Sequence, residues 1–169
     1  MSKDPKPSGL IEWTLENIRN EGESLRWMEL RRMEWVPLLA SRLKYLFDGA
    51  SFLFFCDDER EWFEKYFLQN INRKDNSRPI LPFINLRSLY PRLDKISTVE
   101  ERMLLEDMLS ISFPNGFVYF YVGKQGTRLA QVAESRNDSF LWMIDDAEEQ
   151  NSFYVANSND ENIDFKLMV

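Results

Sequence analysis

Apolar residues along this chain alternate between two spacings. Short, almost wholly apolar runs stand at Ser51–Cys56, Ile80–Leu86, Phe117–Val122 and Phe140–Ile144, and Phe153–Ala156 supplies a fifth. Runs of this length without polar alternation predict strands covered on both faces, as in a parallel sheet. Between them apolar residues recur at helical spacing. Trp62, Phe63, Tyr66 and Phe67 predict a helix capped by Asp57 or Asp58. The segment Thr98–Leu109 opens on a capping box read as Ser97-Thr98-Val99-Glu100, and Thr127–Ser135 predicts a shorter helix.

The first part of the domain is helical throughout, from Gly9 to Phe47. One stripe runs through Ile11, Leu15, Ile18, Gly22 and Leu25, and a second through Leu30, Met33, Leu38, Leu39, Leu43 and Leu46. A break is expected at Gly22 or Pro37. Trp13 and Trp27 each lie two residues from a stripe position, roughly 200° around a continuous helix, and so stand off the stripe. Apolar residues on more than one helical face predict contact with another subunit or a partner through this region. Strands alternating with helices predict an α/β fold, a three-layer sandwich with an open parallel sheet of about five strands flanked by helices. Residues 1–8 read as a flexible tail and 9–169 as one domain. The last residues, Ile163 to Val169, are apolar to the end, as though an element were cut short there.

Composition narrows the function. The chain of 169 residues is 44% apolar and 14% aromatic, enough for a full core without staples. A single cysteine, Cys56, excludes an internal disulfide and suits a reducing cytoplasm, and the polar start MSKDPKPSG is no signal peptide. The absence of histidine removes Ser-His-Asp and Cys-His catalysis and any zinc site that needs imidazole. The net charge of −7 argues against a direct grip on nucleic acid. Charge is uneven all the same: Lys65–Lys95 holds seven cations against two acids, and Glu134–Asp164 holds nine acids against Arg136.

Candidate chemistry is thin. The first strand-to-helix turn of such a fold is where a ligand phosphate usually sits, but here it reads Cys56-Asp57-Asp58-Glu59, without glycine and with three carboxylates that would repel an anion. Asp57 and Asp58 with Asp145 and Asp146 at strand ends resemble a Mg²⁺ constellation only in residue type, and caps and solvated loop acids account for them. Cys56 lacks the Cys-x5-Arg spacing of a phosphatase nucleophile and reads as an inert buried thiol. Gly123-Lys124-Gln125-Gly126-Thr127 lacks the Walker spacer and reads as an ordinary turn.

An ordered set of short segments carries a family resemblance. Leu25-Arg26-Trp27-Met28-Glu29-Leu30, Asp48-Gly49-Ala50-Ser51-Phe52-Leu53, Trp62-Phe63 and Asn70-Ile71-Asn72 come first. Arg78-Pro79-Ile80-Leu81, Ser88-Leu89-Tyr90-Pro91, Val122-Gly123-Lys124 and Ser139-Phe140-Leu141-Trp142 follow. Together they make the chain resemble the HobA family, factors that associate with the replication initiator DnaA. The resemblance implies a sugar-isomerase-like (SIS) or flavodoxin-like fold, a homotetramer, and a non-enzymatic adaptor that binds the N-terminal domain of DnaA and promotes its assembly at the chromosomal origin. It implies no cofactor, no metal, no catalytic residue, no membrane and no direct nucleic-acid contact. It also implies a long helix after the last strand, which this sequence would only begin. The partner contact is expected on the early helices, with Trp27 as anchor and Glu29 and Arg32 at its rim. The alternative is a sugar-phosphate-binding protein or isomerase-like enzyme, which the acidic first loop disfavours.

Overall fold

The computed structural model describes residues 7–75, 77–145, 152–156 and 160–168. Its strands are β1 (Ser51–Cys56), β2 (Phe83–Asn85), β3 (Phe117–Lys124), β4 (Phe140–Ile144) and β5 (Ser152–Ala156). They form one parallel sheet in the order β2-β1-β3-β4-β5, the doubly wound order of flavodoxin-like folds. Period-two alternation divides the central strands between two cores. Phe52, Phe54 and Cys56 of β1 and Val118, Phe120 and Val122 of β3 face one layer, and Leu53, Phe55, Tyr119 and Tyr121 face the other.

Helices α1 (Pro7–Glu21), α2 (Arg26–Leu30), α3 (Arg32–Phe47), α4 (Glu61–Ile71) and α8 (Ile163–Met168) contribute to the first core. Helices α5 (Leu86–Leu89), α6 (Val99–Ser112) and α7 (Arg128–Glu134) contribute to the second. The first core is an aromatic cluster. Phe54 lies 4.4 Å from Phe67 and 4.8 Å from Phe120, centroid to centroid, in the tilted geometry that ring quadrupoles favour.

Several expectations shift. The strand expected at Ile80–Leu86 is only three residues long. Pro79 and Pro82 offer no N–H to a ladder, so pairing starts with the Pro82 carbonyl accepting from Phe52, and Leu86 already opens α5 behind the Asn85 cap. The capping box lies one residue later than read: Thr98 Oγ1 accepts from the Glu101 N–H while the Glu101 carboxylate accepts from the Thr98 N–H, each at 3.1 Å. Helix α1 starts at Pro7, inside the segment read as tail, and residues 1–6 lie outside the described residues, as does Val169.

The early helical region breaks at Gly22, whose φ of 99° a side chain would resist, and again at Arg31. Pro37 does not interrupt it. That residue sits exposed inside α3, where water can take the carbonyl its ring frees. The 3-10 turn Glu23–Leu25 separates Leu25 from the helix that carries Trp27, so the two do not share one α-helical phase. Trp27 is therefore not off the core: its ring stacks on Phe153 at 6.2 Å and packs against the first core. Trp35 is buried, with its indole N–H donating to the Met28 carbonyl at 2.9 Å. Replacing Trp27 with Glu should accordingly lower the urea midpoint by an amount equivalent to about 2 kcal/mol, since it sets a carboxylate against Phe153. An unchanged midpoint would place that ring in solvent.

Candidate functional site

Strand order reverses between β1 and β3, and in open α/β sheets the crevice beyond this switch point is where ligands bind. Its walls are the turn after β1, Asp57 to Arg60, and the turn after β3, Lys124 to Thr127. Asp57 is buried and its carboxylate fills the place of an anion. Oδ1 accepts from the Arg60 N–H at 3.1 Å, and Oδ2 accepts from Arg60 Nη1 at 2.6 Å and from the Lys124 backbone N–H at 2.7 Å. These are the kinds of donor a phosphate would use, and the chain's own side chain has taken them.

Gly123 serves the same carboxylate. A Cβ there would stand 2.5 Å from Tyr121 Oη and 2.8 Å from Asp57 Oδ2, so the glycine admits Asp57 and the tyrosine hydroxyl. That hydroxyl donates to the Lys124 carbonyl at 2.9 Å and meets Thr127 Oγ1, the N-cap of α7.

The neighbouring acids are paired as well. Glu59 Oε1 meets Lys124 Nζ at 2.8 Å, and that hydrogen bond holds its carboxyl below the usual range. Arg87 Nη2 donates to Asp58 Oδ1 and to the Cys56 carbonyl, each at 2.9 Å. The turn read as three repelling carboxylates is thus close to balanced by Arg60, Arg87 and Lys124. An anion is kept out because its donors are engaged, more than by repulsion.

Beneath the turn, Glu64 accepts from the Cys56 N–H at 3.0 Å and from the Asn85 side chain, with Arg87 Nε at 3.4 Å. Burial pushes its carboxyl up, against the pull of those hydrogen bonds. Burial pushes the Cys56 thiol up far more, with Glu64 and Asp57 adding to it, so little nucleophilic thiolate forms. What remains open is a polar cavity of about 310 Å³ lined by Asp57, Asp58, Asp94, Lys95, Thr127 and Arg128, with Leu129 at its wall. Among the described residues no three carboxylates or thiols are grouped to hold a metal; Asp146 lies outside those residues.

The early helices offer a different kind of surface. Leu30 and Met33, read as stripe residues, point outward with 74% and 63% of their area exposed, because the break at Arg31 turns them off the core. Trp13 of α1 is exposed as well. Of the three residues read as a partner site, Trp27 is partly covered by its own domain. Glu29 receives Arg19 Nε and Nη2 at 3.0 and 2.7 Å, and Arg32 Nη1 donates to the Glu29 carbonyl at 3.1 Å. Glu29 and Arg32 lie on the same short stretch as Leu30 and Met33, whose outward orientation the stripe pattern did not foresee. A phase reset at Arg31 was the only signal that could have found them.

The family described as "HobA: DNA replication regulator" matches residues 6–169. The DNA replication regulator protein HobA of Helicobacter pylori is 30% identical to this chain over 168 residues, which cover 93% of this chain and 86% of that protein. Among solved structures, a HobA–DnaA (domain I–II) complex from Helicobacter pylori superposes with a TM-score of 0.70 at 27% identity. HobA from the same organism gives 0.66 at 25% identity, and in both cases the match covers 93% of this chain and 86% of the other.

Proposed function

Because the chain belongs to the HobA family of DNA replication regulators, we propose that it is a non-enzymatic adaptor that binds the N-terminal domain of the initiator DnaA and gathers several initiators at the chromosomal origin. The observation that carries this reading is the likeness, over nearly the whole chain, to a relative whose structure holds DnaA domain I–II. Two features of the chain support it. The crevice where an α/β enzyme would hold its ligand is filled by Asp57, and the early helices expose Leu30 and Met33 beside the charged Glu29 and Arg32. Apolar residues ringed by polar ones are the usual make-up of a protein contact.

In this reading Leu30 and Met33 enter the interface, and Glu29 and Arg32 form its charged rim, with the Trp27 ring bracing the helix from behind. The adaptor acts by holding initiators close together. Raising local concentration in this way needs no chemistry on either partner. Size-exclusion chromatography with light scattering tests it. Mixed with the N-terminal domain of DnaA, the protein should elute as a heavier species than either component, whereas two separate peaks at unchanged masses would count against it.

A further inference from the structure

No helix-breaking residue explains the break between α2 and α3. Leu30, Arg31, Arg32, Met33 and Glu34 are all good helix formers, and neither glycine nor proline stands between Gly22 and Pro37. Left to local preference, α2 would run on into α3 as one helix. A helix interrupted without glycine or proline is held that way by something that reaches into it. Helix α2 is also only five residues long, too short to stand on its own hydrogen bonds. Its place depends on what ties it down.

Arg31 sits at the break and reaches out of it. Nη1 donates to the Tyr154 carbonyl and, at 3.4 Å, to that of Val155, while the guanidinium carbon lies 4.5 Å from the centre of the Phe153 ring and 5.3 Å from that of Tyr154. On the helix side, Nε and Nη2 donate to the Glu34 carboxylate at 3.1 and 2.5 Å. Strand β5 is the edge of the sheet, paired with β4 alone. One side chain therefore ties the junction to the sheet edge and to the first turn of α3 together. Trp27 stacks on the same Phe153, so β5 anchors both ends of α2. A planar fork of five N–H groups can bond and stack in this way, whereas a lysine ammonium is a point charge without a face.

We propose that Arg31 is a positioning residue for the initiator contact. By fastening the junction to β5 it holds Leu30 and Met33 outward before a partner arrives, and it acts through them rather than on the partner. The inference rests on the adaptor reading for the partner's identity. Its consequence is kinetic. A surface held ready binds at each well-oriented encounter, whereas one assembled for a fraction of the time binds in proportion to that fraction.

Arg31→Lys is the informative variant, because it keeps the charge, and with it any electrostatic steering of the encounter, while losing the fork. Surface plasmon resonance with the N-terminal domain of DnaA should show association slowed about tenfold and dissociation within about twofold of wild type. Trimming Leu30 and Met33 should do the reverse and speed dissociation. Hydrogen exchange of the free protein gives a reading without any partner. Amides of residues 26–35 should exchange faster in the variant, while those of β1, β3 and β4 keep their wild-type protection. Unchanged exchange over 26–35 would overturn the inference and leave the adaptor reading standing, and so would an unchanged association rate or a loss confined to dissociation. Faster exchange throughout the sheet would overturn it too, by making Arg31 a general prop of the fold. A wild type that does not bind the domain defeats the adaptor reading, and with it the role of Arg31 in the contact, a failure read on the wild type alone.

Discussion

Replacing Asp57 with Ala should destabilise the protein by about 3–5 kcal/mol, a drop in Tm on the order of 10 °C for a chain of this size. The substitution leaves the buried Arg60 guanidinium with only the exposed Glu59 carboxylate, 3.6 Å away, and strands the backbone N–H of Lys124. An unpaired buried charge costs far more than the lost attraction alone. It also empties the anion cradle at the switch point. Sulfate or inorganic phosphate should then raise the Tm of the variant in a saturable way, compared with chloride at equal ionic strength, as expected for a ligand that binds only the folded state. The wild type should show no such rise with sulfate or hexose phosphates, because Asp57 already holds the donors. A saturable, sub-millimolar stabilisation of the wild type by a hexose phosphate would revive the sugar-phosphate reading.

Replacing Leu30 and Met33 together with Ala should weaken binding to the N-terminal domain of DnaA by about 2 kcal/mol or more, roughly thirtyfold, with the loss mainly in dissociation rate. Both side chains are mostly exposed, so the stability of the adaptor itself should change by no more than about 0.5 kcal/mol. Glu29→Ala and Arg32→Ala should cost less and chiefly alter the salt dependence of association, as rim charges do. Surface plasmon resonance at two salt concentrations separates these effects. Equal losses from all four changes, or a loss accompanied by unfolding, would remove Leu30 and Met33 from the centre of the contact.

The strands β1, β3 and β4 were legible because a strand buried on both faces must be apolar at every position, and the chain has few such runs. The helix after β1 and the parallel sheet followed from the same pattern. Strand β2 was overread because hydrophobicity alone does not register that prolines flanking Leu81 supply no ladder donors.

The site was harder to read, for two physical reasons. Charge partners are non-local: Asp58 and Glu59 look like a repelling pair until Arg87 and Lys124 are folded onto them from 29 and 65 residues away. Helical phase is fragile too. Placing Trp27 off the stripe takes Leu25 to Trp27 as continuous α-helix, but Glu23–Leu25 is a 3-10 turn and α2 starts only at Arg26, which brings that ring onto Phe153. Cys56, by contrast, was correctly read as buried, since it closes a run of apolar residues at the end of a central strand.

An adaptor of this kind must bind the initiator directly. Isothermal titration of the full protein with the N-terminal domain of DnaA measures that contact without labels or chemistry. A saturable heat of binding is expected, with a Kd on the order of micromolar or tighter that rises about thirtyfold when Leu30 and Met33 are both replaced. The absence of any heat at protein concentrations on the order of tens of micromolar, together with no co-elution of the two proteins, would contradict it.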